Sequence, residues 1–220
     1  MSQRPVVARQ WAVGNDGRMP TKQGADRRSV IVHAAGQLFL ARGFAGVSMD
    51  DVLHAVGGSK STLYRHFADK VELFQSCVEA LLDEKAAPLR EFVPTDPDLT
   101  VTLTAFGRYF AGVVLDPVSI ALHRLVTAEA ERIPGLGRAF FEHGPAFGQQ
   151  VLGQYLQVAA DSGVIRVVDA RAASAQLYQA MLGDIQMRLL TNSPSRPTPD
   201  EVEQSIVTAV DVFLNGALVR

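Results

Sequence analysis

An all-α fold is predicted by three observations. After Asp26, apolar residues recur through most of the chain at the spacing of one helix face. The segments so marked are divided by short Gly, Pro and Ser breaks of the kind that end helices. The one run with a strand-like period, Val164-Ile165-Arg166-Val167-Val168, stands alone, and an unpaired strand is not stable.

Residues 1–25 combine Pro5, Gly14, Gly17, Pro20 and Gly24 with scattered Arg and Lys, and read as a flexible basic tail in which Trp11 is out of character. Val30, Ile31, Ala34, Ala35, Leu38 and Phe39 mark the inner face of a first helix. Arg42-Gly43 ends it, because Gly43 is free to adopt the left-handed conformation at C′. Phe44 and Val47 then enter a small core. Ser48 and Asp51 form a capping-box pattern with Asp in place of Glu, so a second helix starts at Met49 and buries Val52, Leu53 and Val56. Gly57-Gly58 break it, and Ser59 caps a third helix over 60–67 whose inner positions are Leu63 and Phe67.

A long helix follows over 69–92, with Val71, Leu73, Phe74, Val78, Leu81 and Leu82 inward. Further helices are predicted over 98–115, 117–132, 134–143, 145–161, 170–190 and 200–218, separated by Pro, Gly and Ser.

The chain is long enough for one large or two small domains, and its 47% hydrophobic and 20% charged residues are ordinary for a soluble globular protein. Residues 1–67 hold nine Lys/Arg against four Asp, a net of about +5, which leaves about −7 for 68–220 within an overall charge of −2. A small basic domain on a larger acidic body is the footprint of nucleic-acid binding. The single Cys77 excludes an intrachain disulfide and a multi-Cys metal site, and fits a reducing compartment. No apolar run reaches membrane-span length and no apolar h-region follows Met1, so a soluble cytoplasmic protein without a membrane partner is expected.

Helix, Gly turn and a helix rich in basic and hydroxyl side chains is how a protein fits the major groove of duplex DNA. Lys60, Ser61 and Arg65 are the candidates for base edges, since Lys or Arg donating to guanine is the commonest specific pairing. Thr62 is divided between a phosphate and a thymine methyl. Arg27, Arg28 and the tail arginines either reach the minor groove or lie in a solvated tail.

In the C-terminal part, Phe106, Tyr109, Phe110, His123, Phe140, Phe141, His143, Phe147 and Tyr155 fall on successive helices. Aromatics beside a gap between helices make an apolar pocket with a few polar handles, although aromatics at this spacing also fill plain core. The candidate ligand pocket is Phe106, Phe110, His123, Glu129, Phe141, Phe147 and Tyr155, with Glu129 the natural carboxylate for a cationic ligand. No His/Asp/Glu cluster has metal-ligand spacing, and no nucleophile motif or phosphate loop is present, so neither enzyme nor cofactor is expected.

Residues 28–74 resemble the TetR/AcrR family of bacterial one-component regulators. The resemblance is carried by Ala34-Ala35, Leu38-Phe39, Gly43-Phe44, Ser48-Met49, the Gly-x-Ser-Lys-x-Thr-Leu-Tyr run at 57–64, His66-Phe67, Lys70 and Leu73-Phe74. More weakly, Arg124-Leu125-Val126 through Ala128-Glu129-Ala130 to Gly144-Pro145 resembles an efflux-regulator branch of that family. Gly58 stands where the family usually has Val, and Leu53 where it has a small Ala. Gly58 removes an apolar contact between the short helices, and Leu53 is a candidate to fill the space.

The resemblance implies an all-α protein with a three-helix helix-turn-helix domain over 26–70 and a larger helical ligand-binding and dimerisation domain over 71–220. It implies that Ser48, Tyr64, His66 and Lys70 hold DNA phosphates. It also implies that the helices at 172–190 and 200–218 form an intersubunit bundle in a homodimer. Ala173, Leu177, Ala180, Met181, Gly183, Asp184 and Met187 provide one packing face, and Val202, Ile206, Ala209, Val210, Phe213 and Leu214 the second. The function so implied is a repressor that binds a pseudo-palindromic operator and is released by a small apolar or amphipathic ligand. An activator of the same fold, and a helical binding protein whose head no longer reads DNA, are the alternatives.

Overall fold

The computed structural model describes residues 27–92 and 96–217. The tail expected over 1–25, Trp11 included, lies outside them. Eleven helices occur among the described residues: α1 (Arg27–Arg42), α2 (Met49–Val56), α3 (Lys60–His66), α4 (Lys70–Arg90), α5 (Leu99–Val114), α6 (Pro117–Glu129), α7 (Leu136–His143), α8 (Pro145–Asp161), α9 (Ala170–Leu182), α10 (Ile185–Leu190) and α11 (Pro199–Ala217). The all-α expectation holds. At 164–168 the described chain forms no strand and simply buries Ile165.

Two compact units make up the chain. The first contains α1, α2, α3, α4 up to Lys85, and the α6–α7 pair. Its core joins Ile31, Val32, Ala35 and Phe39 of α1 to Val52, Leu63 and Phe67 of the short helices and to Leu73, Phe74, Cys77, Val78 and Leu82 of α4. Leu122, Val126, Ile133 and Leu136 complete that cluster from α6, α7 and the turn between them. Phe39, Phe44 and Phe74 meet with ring centroids 4.9 to 6.0 Å apart.

The buried stripe of α1 is rotated from the predicted one. Val30 is 39% exposed, while Val32 and Gly36 are buried. The pattern 31, 32, 35, 36, 39 is as good a helix face as 30, 31, 34, 35, 38, 39; Ile31, Ala35 and Phe39 fit both, and the neighbouring helices decide between them. Gly43 adopts φ 72° and donates its N–H to the Phe39 carbonyl at 2.8 Å, closing α1 as expected. At the start of α4, Glu72 and the 68–69 turn cap each other: Ala68 N–H donates to the Glu72 carboxylate at 2.7 Å, and Glu72 N–H to Asp69 Oδ1 at 2.9 Å.

The second unit contains residues 86–116 and α8 to α11. Leu103, Phe106 and Phe110 of α5, Leu152, Tyr155 and Leu156 of α8, Leu177, Tyr178 and Met181 of α9, and Ile206, Val210 and Leu214 of α11 form its core. A Cβ at Gly148 would sit 2.8 Å from the Tyr178 ring, so α8 carries glycine where α9 presses an aromatic against it. The single helix predicted over 170–190 is divided at Gly183-Asp184 into α9 and α10. Gly183 takes φ 50°, a conformation that side chains disfavour, and the Met181 carbonyl just before the break accepts a hydrogen bond from Ser205 Oγ at 3.0 Å. The helix predicted from 134 starts at Leu136, because the Pro134 carbonyl is held by Gln75 Nε2 at 2.9 Å and Gly135 turns with φ 83°.

Phe39→Ala is expected to destabilise the first unit by about 3–5 kcal/mol, read as a lower denaturation midpoint at constant slope. Cys77 gives a second test. Its thiol donates to the Val32 carbonyl at 3.2 Å, and burial pushes its pKa from 9.0 up to about 12. The thiol therefore ionises first in the unfolded chain, and its contribution to stability is whole below pH 9.0 and lost as pH climbs toward about 12. A thiol reagent near pH ~8 should label the native protein slowly and the denatured protein at once; equal rates would refute this burial.

Candidate nucleic-acid interface

The sequence from Ser48 to Lys70 builds a two-helix head through its caps. Ser48 and Asp51 satisfy both sides of the predicted capping box: Ser48 N–H donates to Asp51 Oδ2 at 2.7 Å, and Asp51 N–H to Ser48 Oγ at 3.1 Å. The Ser48 hydroxyl also donates to the same carboxylate. Those bonds, first from the side chain and then from the backbone of Ser48, hold the Asp51 carboxyl below its usual pKa, with Arg42 nearby adding to the effect. After Gly57-Gly58, at φ 66° and 98°, Ser59 caps α3 by accepting the Thr62 N–H at 3.2 Å. Its hydroxyl also lies 2.9 Å from both Ser61 Oγ and Thr62 Oγ1.

Leu63 and Phe67 are buried and fix the inner side of α3. Lys60, Ser61, Tyr64 and Arg65 are exposed on it, and Thr62 and His66 are half-buried. Six of the eight predicted DNA residues thus share this helix, with Ser48 opening α2 and Lys70 opening α4.

Several of these groups have partners that sequence reading missed. Lys60 Nζ pairs with Asp50 Oδ1 at 3.1 Å, which raises the ammonium's pKa. Lys70 Nζ donates to the Phe44 carbonyl at 3.0 Å and lies 4.3 Å from the centre of the Phe44 ring. An ammonium has three donors, so Lys70 retains N–H groups for another acceptor. His66 Nε2 is out of water without a hydrogen-bond partner. Arg28 lies over the Phe67 ring at 4.8 Å and donates to Ser76 Oγ at 2.9 Å. Leu53 is half-buried against the core, but the space beside Gly58 is taken by Arg27.

The seven candidate ligand residues divide between the two units. Phe106, Phe110, Phe147 and Tyr155 lie in the second unit, where Phe106 and Phe110 stack at 6.2 Å and Phe110 meets the Tyr178 ring at 3.9 Å. Phe106, Phe110 and Tyr155 are core residues, and Phe147 is half-buried with Arg90 over its ring at 4.9 Å. His123, Glu129 and Phe141 lie in the first unit. His123 contacts Phe140 at 5.1 Å and has its pKa lowered by burial, Glu129 pairs with Arg132 at 3.7 Å, and Phe141 is 51% exposed.

Of the two faces expected to meet a second subunit, Ala173, Leu177 and Met181 instead pack on Ile206, Ala209, Val210 and Leu214 of the same chain. Ala180, Asp184, Met187 and Val212 remain exposed. A groove of about 690 Å³ runs along α9, α10 and α11, where Arg188 pairs with Asp184 and donates to Glu201, each at 3.3 Å. No group of three or more potential metal ligands occurs among the described residues, and no single helix there is long and apolar enough to cross a membrane.

A capped two-helix head with an exposed basic and hydroxyl face, in a chain otherwise helical, defines a helix-turn-helix regulator. Residues 31–77 match the model of the bacterial regulatory proteins of the tetR family, and 101–216, over half the chain, that of the AefR-like transcriptional repressor C-terminal domain. The solved structure of the flavonoid-responsive regulator FrrA is 30% identical with a TM-score of 0.77, over 88% of this chain and 98% of that one. The transcriptional activator FasR of Mycolicibacterium smegmatis is 32% identical over 33% of each chain. The regulator TcmR of Streptomyces glaucescens is 30% identical over 50% of each. The chain spans half the length or less of these two curated relatives. It belongs to the TetR family of DNA-binding transcriptional regulators, which are not enzymes.

The capping box carries a pH test. Because the Asp51 carboxyl is held below 3.8, its contribution to the start of α2 is present above that pH and is lost as pH falls through its lowered value. Asp51→Asn should flatten the acid-side loss of helicity seen by circular dichroism. An unchanged acid limb would show that the box does not stabilise the head.

Proposed function

We propose that the protein is a homodimeric repressor that binds a pseudo-palindromic operator through its two α3 helices and is released by a small apolar or amphipathic ligand. The observation that carries the DNA part is the α3 face: Lys60, Ser61, Tyr64 and Arg65 are exposed on a helix anchored by Leu63 and Phe67. Lys60, Ser61 and Arg65 meet base edges, Thr62 meets a phosphate or a thymine methyl, and Ser48, Tyr64, His66 and Lys70 hold phosphates and fix register. Two heads engage half-sites about 34–36 Å apart.

The match to a repressor C-terminal domain favours repression, and the exposed Ala180, Met187 and Val212 on the α9–α11 side favour a dimer through that face. The flavonoid-responsive FrrA gives flavonoids first place in a screen for that ligand. An activator is the second reading, since FasR is one.

The test is titration against DNA fragments flanking the protein's own gene, at several salt concentrations with nonspecific competitor. Binding to one short inverted repeat, relieved by a small apolar or amphipathic ligand, is expected; binding that disappears with competitor would remove the operator reading. On that repeat, Tyr64→Phe with Lys70→Ala should weaken every duplex alike and make the salt dependence shallower by about one unit, the share of the Lys70 ammonium, since the neutral Tyr64 hydroxyl releases no counterion. Unchanged slope would refute the phosphate role of Lys70.

A further inference from the structure

The turn between α2 and α3 contains two consecutive residues at positive φ, Gly57 at 66° and Gly58 at 98°. Within the turn, Gly57 N–H donates to the Leu53 carbonyl at 2.8 Å, and a residue from the far end of α1 adds a second hold. Arg27 Nη2 donates to the Val56 carbonyl at 3.0 Å and also to the Gly57 carbonyl. A guanidinium suits that place, because the last carbonyls of a helix are unpaired acceptors at the negative end of its dipole. A Cβ built on Gly58 would lie 2.9 Å from the same nitrogen, so the guanidinium fills the space beside the turn. The next residue, Ser59, is the cap from which α3 begins.

We propose that Arg27 is a positioning residue for operator recognition, clasping the Val56 and Gly57 carbonyls and so fixing the direction in which α3 is presented to DNA. The role rests on the operator reading given above. It differs from the minor-groove role that sequence allows for Arg27, and the two have opposite consequences. A groove or phosphate contact weakens all duplexes and lowers the salt slope. A clasp that orients the reading helix weakens the specific site and leaves random DNA and the slope alone.

Full-length Arg27→Ala, Arg27→Lys, Gly58→Ala and the Arg27→Ala/Gly58→Ala pair would be titrated against the inverted repeat selected by the unaltered protein and against random duplex, over a range of salt. Amide hydrogen exchange of the free proteins would be followed in parallel. Arg27→Ala should weaken the repeat about tenfold, with random-duplex affinity and salt slope unchanged. It should speed exchange at 57–66 and not in α4, and Arg27→Lys should restore part of both. Gly58→Ala crowds the guanidinium and also strains the turn at φ 98°, so Arg27→Ala should cost less in its background than in the unaltered protein.

A shallower slope with losses on random DNA, multiplicative losses in the double variant, or unaltered exchange at 57–66 would each overturn the role. If the unaltered protein selects no repeat, the operator reading fails and the positioning role with it, whereas the exchange pattern still decides whether the clasp exists.

Discussion

Three phenylalanine rings set the frame on which the DNA-reading head is built. Phe39 ends α1, Phe44 lies in the turn that follows, and Phe74 faces them from α4, each within 6.0 Å of the others. Their contact joins residues 35 positions apart, and the edge-to-face geometry between Phe39 and Phe74 gives it direction as well as burial. Val52, Leu63 and Phe67 pack into the same cluster, so the positions of α2 and α3 follow from this one aromatic seat. Lys70 reads the seat from outside, with its ammonium over Phe44 and bonded to that residue's carbonyl.

What the sequence disclosed here was mostly local. The Ser48–Asp51 box, the Ser59 cap, the Gly43 stop and the inward pair Leu63 and Phe67 all depend on residues within four or five positions of one another. Such features are legible because the backbone groups they satisfy are fixed by helix geometry. The partners of charged side chains were not legible. Lys60 finds Asp50 across the α2–α3 turn, Lys70 finds a carbonyl 26 positions away, and Arg27 finds two carbonyls about 30 away. No periodicity encodes those encounters. The same limit explains Val30 and Val32, since a helix with two adjacent apolar stripes buries whichever one its neighbour covers.

In the second unit, residue type was legible and allocation was not. The small and large apolar residues of α9 and α11 were recognisable as packing surfaces, yet the chain uses Leu177, Met181, Ile206 and Val210 to seal its own core. What it leaves outward is mixed: Met187 and Val212 stand more than half exposed near a groove that holds Arg188 between two carboxylates. Tyr178 shows how tightly the interior is set. Its ring contacts Phe110 and lies where a side chain on residue 148 would be, and burial carries its phenol well above the usual range.

The ion pair between Lys60 and Asp50 has a consequence for how the two short helices are joined. With a carboxylate 3.1 Å away, the Lys60 ammonium is paired at the surface, a contact of modest strength that leaves its other two N–H groups open to acceptors. The pair therefore ties the first turn of α3 to the first turn of α2 across the Gly57-Gly58 break, so the charge that opens one short helix is balanced by the charge that opens the other.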